Sequence, residues 1–319
     1  MSLRAALKNG LPKGVYTFFK QLEVFRQNGG AYFYCMLTGT KRLQQVNRYF
    51  KAHPEENVYQ KELAFYRKRH TIATVFPYPL LKQVDKNVTM GYDSEKEMPF
   101  IHHKGNKLYL PNAYSWPDNA IGYYRTMLME QLPQSPHRYT ADDFNIGSDD
   151  ILFDVGCADA LFALEHADTA KEIYLFECNP AWLSALEATF APYREKTHII
   201  PRLVSDTEKE SESVRLDSYL KPGDSAFIKM DVEGCEAKVL AGLGSAFETC
   251  QLKVSCCTYH NAQDGADFMR FFEKKGLRAS YSDGYILFFR NNETVLQPPF
   301  FRRGLIRAQT VPNGEKKTI

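Results

Sequence analysis

The chain has no CxxC pair. Its seven cysteines, at positions 35, 157, 178, 235, 250, 256 and 257, are odd in number and two of them are adjacent. That arrangement gives neither a disulfide framework nor a zinc knuckle, and a reducing, cytoplasmic setting is expected. No apolar run approaches the ~18–20 residues that span a bilayer, so no membrane span is expected. The opening MSLRAALKNGLPKG is basic but lacks the sustained apolar core and cleavage site of a secretory signal. There is no internal repeat and no low-complexity stretch. With 44% apolar and 24% charged residues the composition is that of a folded protein, and a net charge of +2 excludes polyanion binding spread over the whole surface.

Charge is nevertheless sorted along the 319 residues. Residues 1–50 hold eight Lys/Arg against the single acid Glu23, and residues 141–190 hold eleven Asp/Glu against the single base Lys171. Three zones follow. Residues 1–145 are an aromatic, basic N-terminal region of mixed α and β signals, with helical spacing at Leu43–Phe50, Val58–Arg69 and Tyr123–Leu132 and a short strand at Lys107–Leu110. Residues 146–295 alternate short apolar runs with helical stretches. The strands expected are Ile151–Val155, Glu172–Glu177, His198–Val204, Ala226–Val232 and Leu252–Tyr259; the helices are Leu161–Ala167, Pro180–Phe190, Glu236–Leu243 and Ala266–Lys275. Such alternation predicts parallel βαβ units in a doubly wound, mostly parallel α/β sheet. Two last runs, Leu277–Tyr281 and Gly284–Arg290, read as an antiparallel addition at the sheet edge. Residues 296–319 read as a basic, extended tail.

In an open α/β sheet the ligand lies beyond the carboxyl ends of the strands. Here those ends carry acids. The first strand runs into Asp154-Val155-Gly156-Cys157-Ala158-Asp159-Ala160, and the second ends at Glu177, 23 residues after Asp154. That spacing suits a carboxylate holding both hydroxyls of an adenosine ribose. A dinucleotide wants GxGxxG facing its phosphates. This loop instead places Asp159 where a phosphate would lie, and a carboxylate there favours a sulfonium cation and an amino group. No Tyr-x-x-x-Lys pair follows to serve hydride transfer. The residues favour S-adenosylmethionine over a nicotinamide dinucleotide, the dehydrogenase remaining as a rival.

ILFDVGCADALFALE, IYLFECNPAW, LDSYL and FIKMDVEGCEAKVLAGL, in that order and spacing, resemble the FkbM-type S-adenosylmethionine-dependent methyltransferases over roughly residues 120–290. The most specific segment is Ile228–Leu240; CTYH at 257–260 and SPHRY at 135–139 resemble one branch of the family. The resemblance implies a Rossmann-like class I methyltransferase fold. It also implies that Asp154, Gly156, Cys157 and Asp159 line the methionine side of the cofactor, Glu177 the ribose and Asp206 the adenine. The family usually has Gly where Ala160 stands, a residue that is awkward if φ is positive there.

Methyl transfer to an alcohol needs an oriented nucleophile and a proton acceptor. Lys229, Asp231 and Glu233 alternate on the fourth strand and its turn, with Asp231 the inward carboxylate. His260 ends the fifth strand, and an unperturbed imidazole titrates near neutrality, as a general base should. Asp231, His260 and Glu233 are therefore the catalytic candidates, whereas Glu236 reads as the acidic start of a helix. His137 and Arg138 could cap the site and hold either an acceptor hydroxyl or the cofactor carboxylate. Asp231, Glu233 and His260 could converge as metal ligands, yet nothing in their spacing demands an ion and none is expected. At least one of Cys256 and Cys257 is core filling. The acceptor implied by the resemblance is a sugar hydroxyl of a glycan or glycolipid precursor, or a secondary metabolite; separately from the resemblance, residues 1–145 are expected to cap the acceptor side. Nucleic acid is the rival acceptor, weakened because MDVEG stands where base-amine methylation uses [N/D]-P-P-[F/Y]. A non-catalytic S-adenosylmethionine-binding module is the other rival.

Overall fold

The computed structural model describes residues 38–289, 293 and 295–311. Most of the basic N-terminal arm, Arg290 and the end of the tail lie outside the described residues. The chain divides into two compact units, one holding the described residues up to Tyr78 together with those between Phe289 and Phe300, the other holding Pro79–Phe288 and the chain from Phe301 on. The first unit contains a helix over 38–52 and the helix Gln60–Arg69, both near the spans their apolar spacing predicts. Leu43, Val46, Phe50, Leu63 and Tyr66 are among its buried positions. The segment 295–300 is held there by Gln45, whose amide donates to the Leu296 carbonyl and accepts the Leu296 N–H.

The second unit opens with a three-stranded antiparallel meander, β1 (Met90–Asp93), β2 (Met98–His103) and β3 (Asn106–Tyr109), followed by the helix Pro117–Glu130. The main sheet has seven strands. β4 (Asp150–Val155), β5 (Glu172–Phe176), β6 (Thr197–Ile200), β9 (Ser225–Met230) and β10 (Gln251–Cys257) are parallel, and β11 (Leu277–Tyr281) and β12 (Leu305–Thr310) complete the order β11-β12-β10-β9-β4-β5-β6. Alternate residues of β4 feed two cores. Leu152 packs with the helix Leu161–Glu165 and with Ile101, Leu108 and Tyr124 of the preceding region; Ile151, Phe153 and Val155 pack with the opposite layer. Residues 79–145 thus share a core with the sheet. The doubly wound, mostly parallel architecture with an antiparallel strand near its edge is as expected.

Two details differ. The run 198–204 is broken at Pro201, which has no N–H to give a ladder; β7 (Leu203–Val204) pairs instead with β8 (Ser213–Val214). The partner of β11 is not the run 284–290, where Ile286 makes one isolated bridge to Arg302, but β12, drawn from the segment that reads as a tail. β12 lies antiparallel between β10 and β11, with Leu305, Ile306 and Ala308 fully buried. A strand ladder on both sides outweighs the weak apolar pattern of LIRAQT. Among the described residues no helix is long and apolar enough to cross a membrane.

The turn after β2 is tied to the helix Leu161–Glu165 by one carboxylate. Glu165 lies 2.5 Å from Lys104 Nζ and 3.3 Å from His103 Nε2. Burial alone would raise its carboxyl, but these partners hold it down at about 2. Because the folded value lies below that of the free chain, the pair stabilises the fold above about pH 4.5 and ceases to do so as the pH falls through about 2. Glu165→Gln is expected to cost about 1–3 kcal/mol at pH 7 and nothing near pH 2, readable from urea unfolding across that range.

Candidate active site

Gly156 opens the turn after β4 with φ +70, and a Cβ there would lie 2.2 Å from the Asp231 carbonyl oxygen. Only glycine permits the ends of β4 and β9 to close this tightly. The turn then passes through two alanines in the left-handed region, Ala158 at φ +46 and Ala160 at φ +53. The departure noted at Ala160 therefore falls in the awkward conformation, and Ala160→Gly is expected to raise stability by about 1 kcal/mol in chemical denaturation.

Most of the turn's own N–H groups are spent within the protein. Those of Gly156 and Cys157 donate to Phe176 O, that of Ala160 to Cys157 O, and that of Leu161 to Asp159 Oδ1 at 2.7 Å. The Ala158 N–H donates to Glu177 Oε2 at 2.9 Å, while Glu177 Oε1 accepts the Asn179 N–H at 2.7 Å. No row of free amides is left to cradle a diphosphate. Glu177 is pinned between two turns, with lone pairs to spare for hydroxyls. Asp159 is buried and its second oxygen accepts the Tyr123 hydroxyl; burial pushes its carboxyl up, against these two hydrogen bonds.

A cavity of about 230 Å³ opens on this turn. Its wall carries the carboxylates of Glu130, Asp154, Asp159, Asp231 and Glu233, and among its lining residues Lys229 is the one Lys or Arg. Register explains that lysine. Asp154 and Lys229 are directly paired on adjacent β4 and β9, and their buried charges meet at 2.9 Å. Lys229 Nζ also donates to the Gly156 carbonyl at 2.7 Å. Burial would lower the Lys229 ammonium, but Asp154 and Asp231 raise it overall. With Lys229 neutralised by Asp154, the cavity presents excess negative charge, suited to a cationic sulfonium nucleoside and hostile to phosphates.

Asp231 follows β9 and gathers donors from distant segments. Its Oδ2 accepts the Tyr139 hydroxyl at 3.1 Å and faces His137 Nε2 at 3.3 Å. Its Oδ1 accepts the Tyr259 hydroxyl at 3.2 Å and faces His260 Nε2 at 3.5 Å. Burial would raise this carboxyl, yet the His137 hydrogen bond and the charges of His137, Lys229 and His260 hold it far below the usual range. The two imidazoles shift upward: burial lowers each, but Glu130 and Asp231 raise His137, and Glu236 and Asp231 raise His260. Glu236, at the start of the helix Glu236–Ala241, is more than a helix-start acid. It is fully buried, with Oε1 2.8 Å from His260 Nδ1, and accepts the Val232 N–H.

The structure thus brings Asp154, Gly156, Cys157, Asp159, Asp231 and Glu233 to one cavity, with Glu177 against its turn and His137 and His260 behind Asp231. Glu233 stands on the rim at φ +55, its side chain 83% exposed and 3.8 Å from His260. Two expected residues are elsewhere. Asp206 is an exposed turn acid accepting the Ser205 hydroxyl, because the chain after β7 turns outward to β8. Arg138 turns away from its neighbour His137, pairs with exposed Asp142 at 3.9 Å and lines a separate cavity with Glu165. Sequence reasoning missed Glu130, Tyr123, Tyr139 and Tyr259 as site residues; the last two lay within SPHRY and CTYH, whereas Glu130 and Tyr123 had no local signal.

The sheet order, the acid-lined turn and the second-strand carboxylate define a methyltransferase fold. Residues 130–279 match the family model described as the methyltransferase FkbM domain. No curated protein matches the sequence. Among solved structures, the chain is similar to a methyltransferase FkbM from Methylobacillus flagellatus KT at 14% identity and a TM-score of 0.39, covering 62% of this chain and 56% of that one. It is also similar to M. jannaschii TYW2 in complex with AdoMet (15%, TM-score 0.35, 71% and 91% covered). A precorrin-6y C5,15-methyltransferase from Geobacter metallireducens GS-15 is a third (12%, 0.35, 53% and 84%). The chain spans little more than half the length of the M. flagellatus protein. S-adenosylmethionine is the cofactor of the domain, and the donor set fits it: Glu177 for the ribose hydroxyls, the anionic wall for the sulfonium and amino group, and no amide cradle for a diphosphate.

Proposed function

We propose that the protein methylates a hydroxyl of a sugar-like, polyhydroxylated small molecule, such as a glycan or glycolipid precursor or a secondary metabolite. S-adenosylmethionine supplies the methyl group for an in-line displacement by the attacking oxygen. The observation that carries the reading is Asp231, an ionised carboxylate on the wall of the cofactor cavity, ringed by two imidazoles and two phenols. Such a group can orient a hydroxyl and take its proton as the oxygen attacks. Tyr139 and Tyr259 fix the carboxylate's plane. His260, held by Glu236, backs Oδ1, and Glu233 reaches the same side from the rim.

Residues 79–145 act as an acceptor-side cap. Met127, Glu130 and Gln131, at the end of the helix Pro117–Glu130 and just beyond it, close the cavity over the turn and offer polar groups to an acceptor rich in hydroxyls. The sugar class itself draws its support from the family resemblance.

The test is incubation with methyl-labelled S-adenosylmethionine and separate acceptors: sugars and glycolipid precursors, phenols, and RNA. Label is expected in an alkali-stable ether on a hydroxyl compound. Cofactor binding with label passing only to RNA bases, or to nothing, would overturn the assignment in favour of a nucleic-acid enzyme or a binding module.

A further inference from the structure

Behind the cavity wall, four side chains from three separate segments converge on one point. His137 comes from the connector before β4, Asp231 from the end of β9, and Cys257 and Tyr259 from the end of β10. His137 Nε2 lies 3.3 Å from Asp231 Oδ2, 3.5 Å from Cys257 Sγ and 3.1 Å from the Tyr259 hydroxyl. Tyr259 Oη lies 3.4 Å from Asp231 Oδ2. The nitrogen, oxygen and sulfur of the first three all fall within 4.8 Å of one another.

These separations are those of ligands sharing a tetrahedral ion. With zinc bonds near 2.1 Å to nitrogen or oxygen and 2.3 Å to sulfur, the edges of a tetrahedron are about 3.4 Å between N and O and about 3.6 Å between N and S. The surroundings match as well. A metal-bound imidazole commonly gives its other nitrogen to a carboxylate, and His137 Nδ1 faces Glu130 Oε2 at 3.6 Å. His137 and Cys257 are buried, 2% and 0% exposed, on rigid strand ends and their connector. Lys229, the nearby ammonium that would repel a dication, is already neutralised by Asp154.

We propose that His137, Asp231 and Cys257 bind one divalent zinc-like ion, against the expectation from sequence spacing that no metal is held. The Tyr259 hydroxyl stands at the fourth corner, on the cavity wall. As a neutral phenol it is the displaceable ligand, so an acceptor hydroxyl entering from the cavity takes its place. Binding releases the Cys257 thiol proton to solvent. Asp231 Oδ1, turned towards His260, stays available for the acceptor's proton. The ion's role in turnover rests on the reading of methyl transfer to a hydroxyl; its binding does not.

The full-length protein, stripped with chelator, is titrated with Zn2+ by calorimetry and separately with Co2+ by absorption. One equivalent is expected to bind, with a thiolate-to-cobalt charge-transfer band in the near ultraviolet. Cys257→Ser is expected to abolish the band, and His137→Gln to weaken Zn2+ binding at least about 100-fold. Calorimetry with S-adenosylmethionine on the same samples tests the cofactor site independently. The wild-type cobalt spectrum needs no variant to fold. Absence of that band, or Zn2+ affinity unchanged in folded Cys257→Ser and His137→Gln, overturns the site and leaves a plain hydrogen-bond network.

Discussion

Asp231→Asn is expected to lower methyl transfer by about 10³-fold while the protein stays folded and still binds S-adenosylmethionine. The variant keeps the side chain's shape but replaces an acceptor-only group with one whose amide donates. Tyr139, Tyr259, His137 and His260 all face this position, and they would then face a competing donor and a neutral group. Proton removal from the acceptor is lost, and both imidazoles lose the charge that favours their protonated forms. Rates under saturating cofactor, with cofactor affinity measured by calorimetry, separate the chemistry from binding. Turnover within about tenfold of wild type would place the proton acceptor elsewhere.

Lys229→Met is expected to destabilise the domain by about 3–5 kcal/mol, because it strands the Asp154 carboxylate in an apolar sheet. Asp154 is 1% exposed and Lys229 5% exposed, so water cannot make up the loss. The substitution also removes the hydrogen bond to the Gly156 carbonyl, loosening the cofactor turn. The double variant Lys229→Met/Asp154→Asn takes away both charges and is expected to recover a large part of the loss, since removing both partners is far less harmful than removing one. Urea unfolding of the two singles and the double gives the coupling directly. Additive losses would mean that the two residues act separately, contrary to their register pairing.

Much of the sheet was legible because its strands are buried on both faces and read as apolar runs ending in acids: Ile151–Val155, Ala226–Val232 and Leu252–Tyr259 all lie on or across observed strands. The same pattern marked Asp154, Asp159 and Glu177, which the structure brings together around one turn. What could not be read were meetings across the chain. His137, Asp231 and Cys257 are separated by 94 and 26 positions, and Glu130 belongs to a helix whose neighbourhood shows no motif. Asp206 and Arg138 failed for a local reason: a turn's exit direction and the side on which a connector's side chain falls depend on backbone angles that residue type leaves open. Strands β1 and β2, with Pro99 and His102–His103 in place of regular alternation, escaped for want of a periodic pattern. β12 escaped because LIRAQT sits among basic and proline residues.

The placement of β12 between β10 and β11 sets a schedule for biosynthesis. While residues 305–310 are still inside the ribosome, β10 shows a bare margin bearing Leu252, Val254, Cys256 and Cys257, and β11 has no ladder to join. A nascent chain in that state offers a hydrogen-bonding template to any neighbouring strand. Protein stalled or truncated just before position 305 should therefore be recovered as aggregates or bound to chaperones, even though every residue of the cofactor turn has already been made.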